Sequence, residues 1–188
     1  MRMRPTKLTG VQVFELDPRE DARGSFIKLF SEHFFNSNNL DTEIKEVFVS
    51  TSQKNVIRGM HFQLPPMAQT KVVSVLKGKI IDVVIDIRVG SPTYGEYEKF
   101  VLSRDNGLSL YVDSGFAHGF LSQEDESMVA YLVSENYDKE LDTGILWNSF
   151  GFDWGTDTPI VSDRDRSLPT LEEFRSTFHY SDKMGGIE

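Results

Sequence analysis

The chain has 188 residues, with 20 Lys and Arg against 29 Asp and Glu, 4 His and no Cys. That length suits one domain (residues 1–188) able to bury a core without staples. The absence of cysteine excludes disulfides, Cys-ligated zinc, Fe–S clusters and thiol nucleophiles. A net charge of −9 with 39% apolar residues excludes a nucleic-acid coat or a polybasic membrane binder and describes a globular protein, while leaving room for a locally basic pocket.

Residues 1–10 carry three basic side chains without the apolar run of a signal peptide. No later stretch approaches the roughly 18 apolar residues of a membrane span, so the expected location is the cytoplasm. In chain order the strand signals fall at 11–16, 25–30, 46–51, a strand-like run at 55–63, then 71–76, 79–88, 100–102, 108–112, 116–121 and 127–133. Gly, Pro, Asn, Asp and Ser fill the breaks, as turn chemistry requires. A short helix is expected near 31–36. Lys77-Gly78 reads as the turn of a hairpin joining 71–76 to 79–88. The second of those strands alternates with period two: Ile81, Val83, Ile85 and Ile87 on one face, Ile80, Asp82, Val84, Asp86 and Arg88 on the other. Near the end, Thr170 and Glu173 have capping-box spacing, and Phe174 and Phe178 follow a helical i, i+4 repeat. Many short strands and few helices predict a mostly-β sandwich or barrel whose mouth can hold a small ligand.

Two Gly-flanked histidines stand out. Asn55-Val-Ile-Arg-Gly-Met-His-Phe-Gln63 sets Arg58 and His61 around a glycine inside a strand, where a bulge or close backbone approach is expected. Gly115-Phe-Ala-His-Gly-Phe-Leu121 places His118 where a strand faces a barrel interior. Taken singly, Arg58 reads as a surface residue and His61 as a satisfied core histidine. Neither has a His two residues away and no Glu closely follows His61, so an acid–base role is preferred to metal ligation. Tyr131 shares a face with Val129 and Val133 and by periodicity is a core tyrosine. Lys71 opens an apolar strand, so it either caps that strand at the surface or points at an anion. Pro159-Ile-Val-Ser-Asp-Arg-Asp165 reads by spacing as a solvated loop, and Gly24 leaves Arg23 near a loop or edge.

Together these segments resemble the deoxythymidine-diphosphate-4-dehydrorhamnose 3,5-epimerase family. The likeness runs from about Gly10 to Leu171. It rests on Arg23-Gly24, the 55–63 and 115–121 motifs, Asp82-Val-Val-Ile-Asp-Ile-Arg88 with Ser91-Pro-Thr, Gly144-Ile-Leu-Trp-Asn148, Asp153-Trp154 and Ser162-Asp-Arg-Asp165, in the right order. The resemblance implies a metal-free, cofactor-free cupin-type jelly-roll barrel with a few short helices. It also implies a homodimer that inverts C3 and C5 of a nucleotide-linked 4-keto-6-deoxy sugar. By motif position His61 matches the catalytic base, Asp165 its paired carboxylate and Tyr131 the acid on the other sugar face. Lys71 and His118 match active-site residues around the sugar, and Arg58 a pyrophosphate contact. Arg23 matches an arginine supplied by the partner subunit, Tyr137 an aromatic near the nucleotide, and Arg164 a basic residue near the phosphates. Phe26 and Gln63 complete the implied substrate-binding set.

The residue types suit the task. A neutral imidazole can take a proton next to a ketone at cellular pH. A carboxylate orients it, a phenol can return a proton, an ammonium can stabilise an enolate, and arginine forks bind phosphate. Lys28 stands where the rhamnose-pathway enzymes commonly have Glu, and Glu46-Val47-Phe48 where they have Gln-x-Asn. The substrate-contacting periphery is therefore expected to differ while the catalytic set is kept. The alternatives are a 3,4-ketoisomerase of the same superfamily, a metal-dependent cupin, and a non-catalytic sugar-nucleotide binder.

Overall fold

The computed structural model describes residues 1–181. Its strands, in chain order, are β1 (Arg2–Pro5), β2 (Val11–Glu15), β3 (Arg19–Asp21), β4 (Gly24–Phe26), β5 (Glu46–Ser52), β6 (Ile57–Gln63), β7 (Lys71–Lys77), β8 (Lys79–Asp86), β9 (Tyr97–Ser103), β10 (Leu108–Val112), β11 (Phe116–Ser122), β12 (Ser127–Val133) and β13 (Asp142–Gly144). Two short helices, α1 (Glu32–Ser37) and α2 (Asp163–Arg166), complete the elements. One sheet runs β1-β2-β10-β7-β12-β5 and a second runs β13-β6-β11-β8-β9, while β3 and β4 pair separately as a hairpin. This is the mostly-β, cupin-type sandwich that the strand spacing and the motifs predict.

Period-two alternation sorts the apolar side chains into three layers. Val73, Val75, Val129, Tyr131 and Val133 from the first sheet meet Ile80, Val84, Phe116 and Phe120 from the second, forming the interior between them. The other face of the second sheet carries Val83, Ile85, Ala117, Met60 and Phe62, and the later chain covers it through Ile145, Trp154, Val161 and Phe178. The outer face of the first sheet, with Phe14, Val72 and Leu132, is covered by Phe35. Phe34 and Phe35 of α1 meet the Phe14 ring edge-on at 5.6 and 5.2 Å. The two faces assigned to residues 79–88 thus serve two different cores.

Four expectations are corrected. β7 and β8 are not a hairpin, because they belong to different sheets. The Lys77-Gly78 turn carries the chain across the sandwich so that Val75 and Ile80 bury against the same interior. The strand expected at 25–30 stops at Phe26, and Ile27, Leu29 and Phe30 instead pack on the outer apolar layer. Thr170 and Glu173 do make the reciprocal bonds of a capping box: the Thr170 N–H donates to Glu173 Oε2 at 2.9 Å and the Glu173 N–H to Thr170 Oγ1 at 3.2 Å. No helix follows, because Phe174 and Phe178 both turn into the core beneath the second sheet. The first strand signal falls at 11–16, yet the chain already forms the edge strand β1 before it, paired to β2.

The glycine within the 55–63 run makes the predicted close approach. A Cβ at Gly119 would lie 2.7 Å from Met60 Sδ, 2.8 Å from the Arg58 carbonyl oxygen and 2.9 Å from Gly59 Cα. Replacing Gly119 with Ala is expected to destabilise the fold by about 1–3 kcal/mol through overpacking alone, measured as a lowered urea midpoint at unchanged m-value.

Candidate active site

One cavity of about 300 Å³ opens between the two sheets, lined by Glu46, Phe48, Ser50, Arg58, His61, Gln69, Lys71, His118, Tyr131, Tyr137, Asp142 and Arg164. Strand register brings its core together. His61 on β6 and His118 on β11 are direct cross-strand partners. Arg58 lies three residues before His61, so a regular strand would turn it to the opposite face. The pairing slips by one residue between His118 and Phe120, and Arg58 sits opposite Phe120. The bulge at Gly59 therefore returns Arg58 to the cavity side. From the facing sheet, Lys71 on β7 and Tyr131 on β12 arrive on the same inward face as Val73 and Val133.

Each histidine is tied to an aspartate. His61 Nε2 lies 2.7 Å from Asp165 Oδ1, although 104 residues separate the two. Asp165 is buried in α2, and its second oxygen accepts the Gly59 N–H at 3.3 Å. Burial works against ionising this carboxyl. The hydrogen bond and charge of His61, with donors from Gly59 and Ser162, outweigh that cost and hold it below the usual carboxylate range. An ionised Asp165 accepts the Nε2–H of His61 and leaves Nδ1 as the nitrogen with a free lone pair. His118 Nε2 lies 2.8 Å from Asp82 Oδ2. Asp82 is fully buried, and burial raises its carboxyl against the opposing charge and hydrogen bond of His118. Its Oδ1 has no hydrogen-bond partner among the described residues.

Lys71 does not cap its strand at the surface. Its Nζ donates to the His61 carbonyl oxygen at 3.1 Å. Burial lowers its pKa to about 8, against the pull of Asp142 and Asp82. Burial likewise pushes the Tyr131 phenol upward, reinforced by the charge of Asp82 and opposed by Ser50 and Arg58. Arg58 donates to Ser52 Oγ and the Thr51 carbonyl, at 3.0 and 3.1 Å, and Arg164 pairs with Asp142 at 2.7 Å. Tyr137 stands exposed at the mouth, with its backbone N–H on Glu46 Oε1 at 3.0 Å.

Three expected site residues lie elsewhere. Gln63 is buried and spends its amide on the backbone: Nε2 donates to the Met67 and Asn136 carbonyls and Oε1 accepts the Asp138 N–H. It therefore holds the segment carrying Tyr137 and does not line the cavity. Arg23 and Phe26 sit on the exposed β3–β4 hairpin, where Arg23 pairs with Asp21 at 2.5 Å. Lys28 lines a separate cleft of about 290 Å³ with Asp17, Arg19, Phe26 and Phe34, away from the cavity that Glu46 lines. Asp82, Asp142, Ser50 and Gln69 are site neighbours that sequence reasoning did not nominate. For Asp82 a signal existed: a carboxylate among Ile80 and Val84 on an inward face is costly unless paired.

Among the described residues, no group of three or more His, Asp and Glu side chains converges as a metal ligand set. None of their helices is long and apolar enough to cross a membrane.

A family profile described as dTDP-4-dehydrorhamnose 3,5-epimerase matches residues 5–173. The chain belongs to this family. A dTDP-4-dehydrorhamnose 3,5-epimerase from Sinorhizobium fredii is 38% identical over 179 residues, covering 92% of each chain. A dTDP-4-dehydrorhamnose 3-epimerase from Streptomyces niveus is 35% identical, covering 93% of this chain and 86% of its own. The solved structure of a dTDP-6-deoxy-D-glucose-3,5-epimerase from Legionella pneumophila, in complex with dTDP-4-keto-L-rhamnose, superposes with a TM-score of 0.91. It is 28% identical and covers 96% of this chain and 98% of its own. As a member of the 3,5-epimerase family the chain is an isomerase, and its cavity lies where two sheets of that shared fold face one another.

The lysine of this epimerase offers a pH test. Unfolded, Lys71 holds its proton up to the ordinary 10.5; folded, it releases it near 8. Between those values the unfolded state binds more protons, so this residue makes stability rise with pH across that window. Lys71→Met is expected to remove the rise, read from urea midpoints of both proteins at about pH 7 and about pH 10.

Proposed function

We propose that the protein epimerises a nucleoside-diphosphate-linked 4-keto-6-deoxy sugar at C3, C5 or both, with His61 as base and Tyr131 as acid. The observation that carries this is their placement. His61, backed by ionised Asp165, stands on one sheet and Tyr131 on the other, both lining one cavity. A sugar ring held between the sheets presents one face to each group, as inversion at carbon requires.

The C4 ketone acidifies the protons on C3 and C5. His61 Nδ1 takes one of them, the C–H electron pair moves into the carbonyl, and an enolate forms beside an imidazolium that Asp165 stabilises. Lys71, whose pKa of about 8 leaves it mostly an ammonium at neutral pH, faces the developing oxyanion together with His118. Tyr131 returns a proton to the same carbon from the opposite face and becomes a phenolate. Its raised pKa suits it to keep that proton until the enolate forms. Water then resets both groups, so each inversion carries solvent hydrogen into the sugar. Arg58 and Arg164 suit the diphosphate, and Tyr137 offers a ring face to the base. This reading is preferred to ketoisomerisation, metal-dependent catalysis or simple binding because base, carboxylate partner and acid are all assembled in a chain of the epimerase family.

In deuterium oxide the enzyme is expected to incorporate label at C3, C5 or both, followed by NMR. His61→Asn is expected to lower kcat by roughly 10²–10⁴-fold while leaving binding of the nucleoside diphosphate intact. No exchange at either carbon with any 4-keto-6-deoxy sugar nucleotide would overturn the assignment.

Arg23 and Phe26 have a role in this scheme only across a homodimer, where the exposed β3–β4 hairpin of one subunit completes the partner's cavity. Mixing Arg23→Glu protein with His61→Asn protein is then expected to restore activity, because the heterodimer carries one intact site. A monomer by sedimentation, or no recovery on mixing, would remove this part of the proposal.

A further inference from the structure

Phe48 belongs to none of the three apolar cores, yet its ring is not free. It stands on β5, the edge strand of the first sheet, directly opposite Tyr131 on β12. The two rings stack with centroids 4.9 Å apart and planes 17° from parallel. On another side, the His118 ring meets Tyr131 nearly perpendicular, at 6.2 Å and 76°. Tyr131 is 8% exposed and Phe48 46% exposed, so Phe48 forms the wall between the phenol ring and the open side of the cavity. A tyrosine clasped in this way can neither swing about its Cα–Cβ bond nor turn its ring without breaking the stack.

Position matters because C3 and C5 flank the ketone, and one phenol serves whichever carbon comes under its oxygen. A small swing of the ring carries that oxygen across the span between them. The short amide of the Gln-x-Asn pattern cannot make the same face-to-face contact.

We propose that Phe48 is a positioning residue: by stacking on Tyr131 it aims the phenol and so sets how protonation is divided between C3 and C5. This inference rests on the epimerase reading above. The test measures initial deuterium incorporation at each carbon separately, with kcat and KM, for wild type and for Phe48→Asn, Phe48→Leu and Phe48→Tyr. Phe48→Asn is expected to change the C3:C5 ratio by about fivefold or more while KM changes by less than about twofold. Phe48→Leu keeps bulk without a flat face and is expected to shift the ratio in the same direction. Phe48→Tyr restores the stack and the wild-type ratio.

A contact that acts through Tyr131 must also lose its effect when the phenol is gone. In a Tyr131→Phe background, adding Phe48→Asn is expected to leave the residual exchange unchanged. An unaltered ratio in both Phe48→Asn and Phe48→Leu, or additive effects in the double variant, would overturn the proposal and leave the epimerase reading standing. A wild type that exchanges neither carbon would overturn both.

Discussion

At Gly59 and Gly119 two neighbouring backbones come so close that a methyl group on either would fall within 3 Å of the other strand. This approach sets the register of β6 against β11, and the register sets the site. It allows one extra residue into β6, turning Arg58 and His61 toward the same cavity and placing His61 opposite His118. It also leaves the Gly59 N–H available to the Asp165 carboxylate, the group that orients His61. Backbone sterics, and not side-chain attraction, are thus the first cause of the arrangement.

Around that register the cavity divides its work between two sheets of different character. The second sheet contributes imidazoles, each held by a buried carboxylate. The first contributes an ammonium and a phenol whose protonation burial has altered in opposite directions, the lysine downward and the tyrosine upward. Burial destabilises the charged form of both, so lysine gives up its proton more readily and tyrosine less readily. Such shifts need a dry, rigid surround, which the interleaved Val73, Val84, Phe120 and Val133 supply. The overall charge of −9 is not mirrored here: Arg58 from the second sheet, Lys71 from the first and Arg164 from α2 outnumber the lining carboxylates Glu46 and Asp142.

The strands were legible in the sequence wherever alternation was strong, as in β8 and β12. The glycine inside the 55–63 motif marked β6 as a place of close approach, and the 115–121 motif marked β11 as a strand with an inward histidine. Pairing was less legible: a turn at Lys77-Gly78 has the same local chemistry whether it closes a hairpin or crosses a sandwich, and only burial of Val75 and Ile80 in one core decides. Tyr131 and Asp165 show the limit more sharply. Periodicity makes the first a core tyrosine, which it also is, and spacing makes the second a loop carboxylate. Their convergence on the histidines depends on contacts far apart along the chain, so the family likeness pointed to them where local pattern did not. The Phe48–Tyr131 stack was equally hidden, because an exposed aromatic on a strand edge carries no periodic signature.

The bond between His61 and Asp165 joins residues 104 positions apart, and that distance orders events during synthesis. Every strand of both sheets precedes α2 in the chain, so the sandwich can assemble on the ribosome while its histidine still lacks a partner. The ring gains its carboxylate only when the final segment folds back and seats Ile145, Trp154 and Val161 on the outer face of the second sheet. A nascent chain stopped short of Asp165 would therefore have walls, a cavity and an unoriented imidazole. In the proposed mechanism, competence for proton transfer then arrives last, with the closing of the 104-residue separation between His61 and Asp165.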